Sequence, residues 1–176
     1  MPGPAGAAER ALLRHANATC RSAHPEPPPI ASLHCDRPSI AVRSAVSAAP
    51  QVLSGLAQHM ALDAVKGAHV VCICNLKARK IAGIESQAMV LCASDASKSS
   101  LSFVTPPADS QPGELVRWEG FPGEPEAVKK MDKKKAWEEI QPLLGTDAKN
   151  VCVYKGVPFM LNGGPCTGGV ANGIIS

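Results

Sequence analysis

Aromatic side chains are the scarcest resource of this 176-residue chain: they make up 3% of it, and none occurs before Phe103. A segment without large side chains cannot offset the entropy of ordering by burial. Residues 1–50, which also hold eight of the sixteen prolines, are therefore expected to be a disordered Pro/Ala/Ser-rich tail. Long apolar runs are missing as well; none approaches the roughly 18 residues that a membrane-spanning helix needs. Charge of one sign is in short supply, because the net value is only +3, so any affinity for a polyanion must come from clustering. Catalytic signatures are absent too: no HExxH, no Gly-x-Ser-x-Gly elbow, and no phosphate loop, since GGPCTGG has neither the lysine nor a strand-to-helix setting. The five histidines all precede residue 70, and three of them lie in the tail. The expectation is a protein that is not an enzyme, with no cofactor, no small-molecule substrate and no membrane partner.

Seven cysteines, an odd number without framework spacing, indicate reduced thiols. Cys72 and Cys74 are two apart in a strand-like run and should pack on one side of it. Cys20, His24, His34 and Cys35 form a loose ligand set, but their spacing matches no zinc pattern, and no metal is expected. The tail has five arginines against three acids, which is compatible with an organelle transit peptide. The short helical stretch Ala7 to His15 serves that reading and HPEPPP opposes it, so transit peptide and plain tail both stay open.

What the chain does contain centres on Val70 to Ser94. Two apolar runs, Val70 to Cys74 and Ala88 to Ala93, are short and bounded by polar and Gly-containing residues, as strands are. Between them Lys77, Arg79 and Lys80 fall within four residues, with only Glu85 nearby in opposition, a local positive field that suits a polyanion. Before this unit, Val52, Leu53 and Leu56 suggest a strand; after it, Ser100 to Val104 and Leu115 to Trp118 suggest two more. Asp132 is a good N-cap for a helix over roughly Lys133 to Gln141, stopped by Pro142. That places Lys133, Lys134 and Lys135 in its first turn, the end that disfavours cations. They either face phosphates or form a solvated turn offset by Glu138 and Glu139. Val151 to Tyr154 and Val157 to Leu161 read as strands joined by Lys155-Gly156, and NGGPCTGGVANG as too glycine-rich to pack much.

The run NLKARKIAGIESQAM closely resembles the signature of the EMAP-II-like tRNA-binding domain, an OB-fold module of synthetase-associated cofactors and of methionyl- and tyrosyl-tRNA synthetases. The resemblance continues through FPGEPEAV, KKKAWEEIQPLL, YKGVPF and ANGIIS, from Gln51 to Ser176. It implies an all-β fold with a little helix: an incomplete OB-fold, a Greek-key β-barrel, over 51–120, plus a small C-terminal α+β subdomain over 121–176. The implied function is a non-catalytic module that delivers or holds tRNA for an aminoacyl-tRNA synthetase, in the cytoplasm, or in an organelle if the tail is a transit peptide. Alternatives are a protein-interaction module of a synthetase complex and a truncated product without stable fold. The implied tRNA-binding residues are Asn75, Lys77, Arg79, Lys80, Ser86 and Met89, joined by Lys133, Lys134 and Lys135. Asn75 could instead cap the turn after its strand, and Met89 could pack in the core. The family usually has proline and arginine where this chain has Ala78 and Ala82. It also has a first hairpin that nothing in residues 1–50 resembles, so an unpaired edge is expected at the strand Val52 to Leu56.

Overall fold

The computed structural model describes residues 40–42, 51–111, 113–121, 127–133 and 135–176. The Cys20/His24/His34/Cys35 set, the stretch Ala7 to His15 and Lys134 lie outside the described residues. The architecture is mostly β: short strands with a few single-turn helices.

The first finding corrects an expectation. Strand β1 (Ile40–Val42) pairs antiparallel with β2 (Val52–Ser54), Ala41 opposite Leu53, so one strand precedes the VLSGL segment and covers its edge. It falls inside the segment expected to be disordered. The signal was weak because this strand is three residues long and its neighbours are Ser, Ala and Arg.

After a short helix α1 (Leu62–Val65), β3 (Cys72–Ile73) pairs with β6 (Met89–Val90), and the connection between them is itself a hairpin, β4 (Arg79–Ile81) against β5 (Ile84–Ser86). Strands β7 (Cys92–Ser94) and β8 (Leu101–Phe103) follow. The two apolar runs alternate between two cores. Cys72, Val90 and Cys92 join Val52, Leu56 and Val70 in one cluster, with Cys74 packed against it. Val71, Ile73, Leu91 and Ala93 belong to the other. A sheet buried on both faces has no polar alternate residues, which is why these strands read as unbroken apolar runs.

The second face is covered by the C-terminal half of the chain. It contributes Trp118, Met131, Ile140, Leu144, Tyr154, Phe159 and Ile175 to that core, with the Trp118 and Phe159 rings edge-to-face at 4.9 Å. Its strands are β9 (Leu144–Thr146), β10 (Cys152–Tyr154), β11 (Val157–Pro158), β12 (Met160–Leu161), β13 (Gly164–Pro165) and β14 (Ile174–Ile175). Strand β14 is the seam. The six-stranded sheet runs β11-β10-β9-β14-β7-β8, so the last strand sits between β9 of the C-terminal half and β7 of the barrel half. Ser176 and Cys92 exchange both backbone hydrogen bonds there at 2.9 Å. This six-stranded sheet thus runs across the boundary expected at residue 120.

The glycine-rich tail is also corrected, because it packs tightly. A Cβ on Gly168 would sit 2.8 Å from Ala93 Cβ and 2.9 Å from Thr146 Cγ2, and one on Gly173 would sit 2.7 Å from the Ser94 carbonyl oxygen. These glycines let backbone approach backbone at the seam. Thr146 fixes the approach from the other side: its hydroxyl donates to the Val170 carbonyl at 2.5 Å and accepts from Gly173 N–H at 2.7 Å.

The lysine-rich helix differs from expectation as well. Two helices are present, α2 (Val128–Lys133) and α3 (Ala136–Ile140), separated at Lys135, which adopts the left-handed conformation with φ 47° and ψ 39°. Asp132 therefore lies inside α2 rather than capping a helix, and Lys133 occupies the C-terminal end, where cations are favoured. Helix α3 ends at Ile140, and a 3-10 turn containing Pro142 follows.

Candidate nucleic-acid interface

The basic segment is presented on a hairpin with a rigid tip and an anchored root. At the tip, Ala82 and Gly83 both have positive φ, 50° and 81°, the mirror-image turn whose twist matches two antiparallel strands. At the root, Leu53 N–H donates to Ser86 Oγ at 3.0 Å, Gln87 N–H donates to the Gln51 carbonyl at 2.8 Å, and the Gln51 side-chain amide donates to the Glu85 carbonyl at 3.2 Å. The β4–β5 hairpin is therefore tied to β2 rather than floating as a loop.

The register distributes the charges. Arg79 lies opposite Ser86, Lys80 opposite Glu85, and Ile81 opposite Ile84. Alternate residues of a strand share a face, so Arg79 and Ile81 lie on one side and Lys80 on the other, across from an acid. Lys77, Arg79 and Lys80 are all exposed.

The nine residues expected to bind tRNA occupy distinct environments. Asn75 is buried, and Ser86 is buried with its hydroxyl donating to the Ala88 carbonyl at 3.1 Å while accepting from Leu53. Met89 is half-buried against the large core. Of these three, Ser86 ties the hairpin root to β2 through its hydroxyl. Lys135 is exposed at the break between α2 and α3. Lys133 ends α2, and Lys134 is outside the described residues.

Sequence reasoning missed what connects the two basic clusters. Lys77 Nζ approaches Asp132 Oδ2 at 3.4 Å, an exposed ion pair spanning 55 positions. It places Asp132 of α2 beside Lys77, the residue two before β4. Asp132 could have been suspected from its isolation between lysines, but its partner could not.

Chemistry of a different kind is buried. Desolvation pushes the thiols of Cys92, Cys152 and Cys166 up to about 12, with the neighbouring Cys166 adding to the effect at Cys152, so all three stay protonated at neutral pH. Among the described residues no cluster of His, Cys, Asp and Glu could hold a metal ion, and no helix is long and apolar enough to cross a membrane.

A family model described as a putative tRNA binding domain matches residues 41–115, beginning at β1. Aminoacyl tRNA synthase complex-interacting multifunctional protein 1 of Cricetulus griseus is 48% identical over 118 residues, covering 66% of this chain and 32% of that protein. The cytoplasmic methionine–tRNA ligase of Arabidopsis thaliana is 41% identical over 125 residues, 70% of this chain and 16% of the ligase. The tRNA-aminoacylation cofactor arc1 of Schizosaccharomyces pombe is 36% identical over 104 residues, 59% and 23% respectively. The chain thus spans about a third or less of the length of these curated relatives. The crystal structure of the C-terminal domain of Plasmodium vivax p43 superposes with a TM-score of 0.76 over 92% of this chain and 94% of that one, at 22% identity, which shows a shared fold.

Proposed function

We propose that the chain is an EMAP-II-like tRNA-binding domain and that it is a non-catalytic module that holds or delivers tRNA for an aminoacyl-tRNA synthetase. The observation that carries the reading is the exposed, anchored basic hairpin, with Lys77 at its entry in contact with Asp132 of the lysine-rich α2. Together the exposed Lys77, Arg79, Lys80 and Lys135 give an electropositive surface to a protein whose net charge is only +3. Cations on a rigid hairpin neutralise phosphates and set affinity, while the fold beneath them sets orientation. Ser86 serves this surface from below, by fixing the hairpin root, and Asn75 and Met89 lie buried and half-buried on either side of the hairpin. The relatives named as cofactors and ligases support a synthetase as the second partner, and their cytoplasmic members support a cytoplasmic site of action.

No base-reading code is visible, and OB surfaces commonly bind by shape, charge and stacking. Low sequence specificity among tRNAs follows. The test is a titration of the full chain with unfractionated tRNA over a series of salt concentrations. Binding that weakens steeply and linearly in log–log form supports the reading; no measurable binding at low salt refutes it and leaves the protein-interaction module as the alternative.

A further inference from the structure

Ile81 is 44% exposed at the end of a hairpin that projects from the barrel, a poor place for a large aliphatic side chain unless something covers it. Its cross-strand partner Ile84 is half-buried, and Ser86, next along the same face, is buried. This face of the hairpin therefore emerges from the protein as it runs outward: a buried serine, a half-covered isoleucine, then an exposed isoleucine at the turn. Arg79 shares that face, whereas Lys80 and Glu85 occupy the other. The tip is also stiff, because the Ala82–Gly83 turn is fixed by two positive φ angles and the root is tied to β2 by hydrogen bonds.

Resting on the tRNA-binding reading above, we infer that Ile81, backed by Ile84, packs on the face of an unstacked nucleotide of the bound RNA while Arg79 beside it engages the neighbouring phosphate. An apolar tip flanked by a cation matches a polynucleotide, which offers apolar base faces and a charged backbone within a few ångströms of each other. Aliphatic side chains are used in this way as wedges against base steps, and the bases of RNA loops are available because they are splayed from the stack. The scarcity of aromatic residues before Phe103 leaves this aliphatic pair to supply the face that a stacking ring would otherwise provide. The consequence is a preference for looped RNA over continuous duplex, superimposed on charge-driven binding.

The test compares wild type, Ile81→Thr and Ile81→Phe in titrations with tRNA and with a duplex RNA of equal length, each at several salt concentrations. Threonine keeps the β-branched shape that suits the strand, and thermal unfolding of each variant confirms that the fold is retained. The expected result is an affinity for tRNA lowered about fivefold by Ile81→Thr at every salt concentration, with the salt slope unchanged and duplex binding unaffected. Ile81→Phe should match or exceed the wild type on tRNA. Equal affinities of wild type and Ile81→Thr for tRNA would overturn the inference while leaving the binding function intact. A wild type that binds no tRNA would overturn the function itself. A concentration-dependent dimer of the wild type that Ile81→Thr abolishes would assign the tip to a second copy of the chain and overturn the RNA contact.

Discussion

Two adjacent isoleucines at the C-terminus offer a sharp test of the claim that the last strand is the seam of the molecule. Ile175 is fully buried in the large core, opposite Ala93, whereas Ile174 points the other way and is 47% exposed. Truncating Ile175 to alanine removes three buried carbons, which at ~0.8 kcal/mol each amounts to about 2.4 kcal/mol, and the cavity left behind raises the cost toward the ~2–5 kcal/mol range of core truncations. The same change at Ile174 should cost about 1 kcal/mol or less, since roughly half of that side chain already meets water. Both variants lose the same β-propensity, so the difference between them isolates which face of β14 is buried. Urea unfolding followed through Trp118 and Trp137 reads the comparison. With an m-value of about 2 kcal/mol/M, the Ile175→Ala midpoint should fall by more than about 1 M and that of Ile174→Ala by less than half as much. Equal shifts, or no shift for Ile175→Ala, would mean that β14 does not sit between β7 and β9.

Gly168→Ala should destabilise by about 1–3 kcal/mol in the same assay, because the added Cβ would lie 2.8 Å from Ala93 Cβ and 2.9 Å from Thr146 Cγ2; an unchanged midpoint would show that the tail is loose. Arg79→Ala should weaken tRNA binding more than Lys80→Ala, because Lys80 stands across from Glu85; the reverse order in a binding titration would put the RNA on the other face of the hairpin. Asp132→Ala should leave stability within about 0.5 kcal/mol, as exposed ion pairs contribute little, and should tighten tRNA binding by freeing Lys77 for phosphate; weaker binding would show that Asp132 holds Lys77 in its productive position. The buried thiols of Cys92, Cys152 and Cys166 should resist alkylation in the native protein and react on unfolding. Their ordinary value of 9.0 is raised to about 12, so the native state retains protons that the unfolded state releases, and their contribution to stability is constant below pH 9.0 and declines as pH rises toward 12. Stability that rises with pH across that window would contradict the burial.

Much of this architecture was legible in the sequence because burial on both faces leaves a plain mark. Val70 to Cys74 and Ala88 to Ala93 are unbroken apolar runs, and each alternates between the two cores. The Lys155-Gly156 turn was legible for a similar reason, as Lys155 and Gly156 both take positive φ between β10 and β11. What stayed hidden depended on contacts distant in sequence. The glycines of the tail read as looseness, and only Ala93, Ser94 and Thr146 on the facing strands reveal that they are there for lack of room. The break at Lys135 was invisible because lysine is a good helix former, and a left-handed residue between two short helices is set by packing, with Met131 and Ala136 buried on either side. Ser86 read as a ligand for RNA, and nothing in its sequence setting announced that it would be buried with its hydroxyl accepting from the Leu53 N–H.

If the hairpin and the helix pair act as one RNA-binding surface, hydrogen–deuterium exchange of the full chain with and without tRNA will report both at once. Amide protection on binding is predicted in peptides covering 77–86 and 128–140 together, at the same tRNA concentration, with no change across β11 to β13 on the C-terminal half. Protection confined to one of the two segments, or centred on β11 to β13, would contradict it.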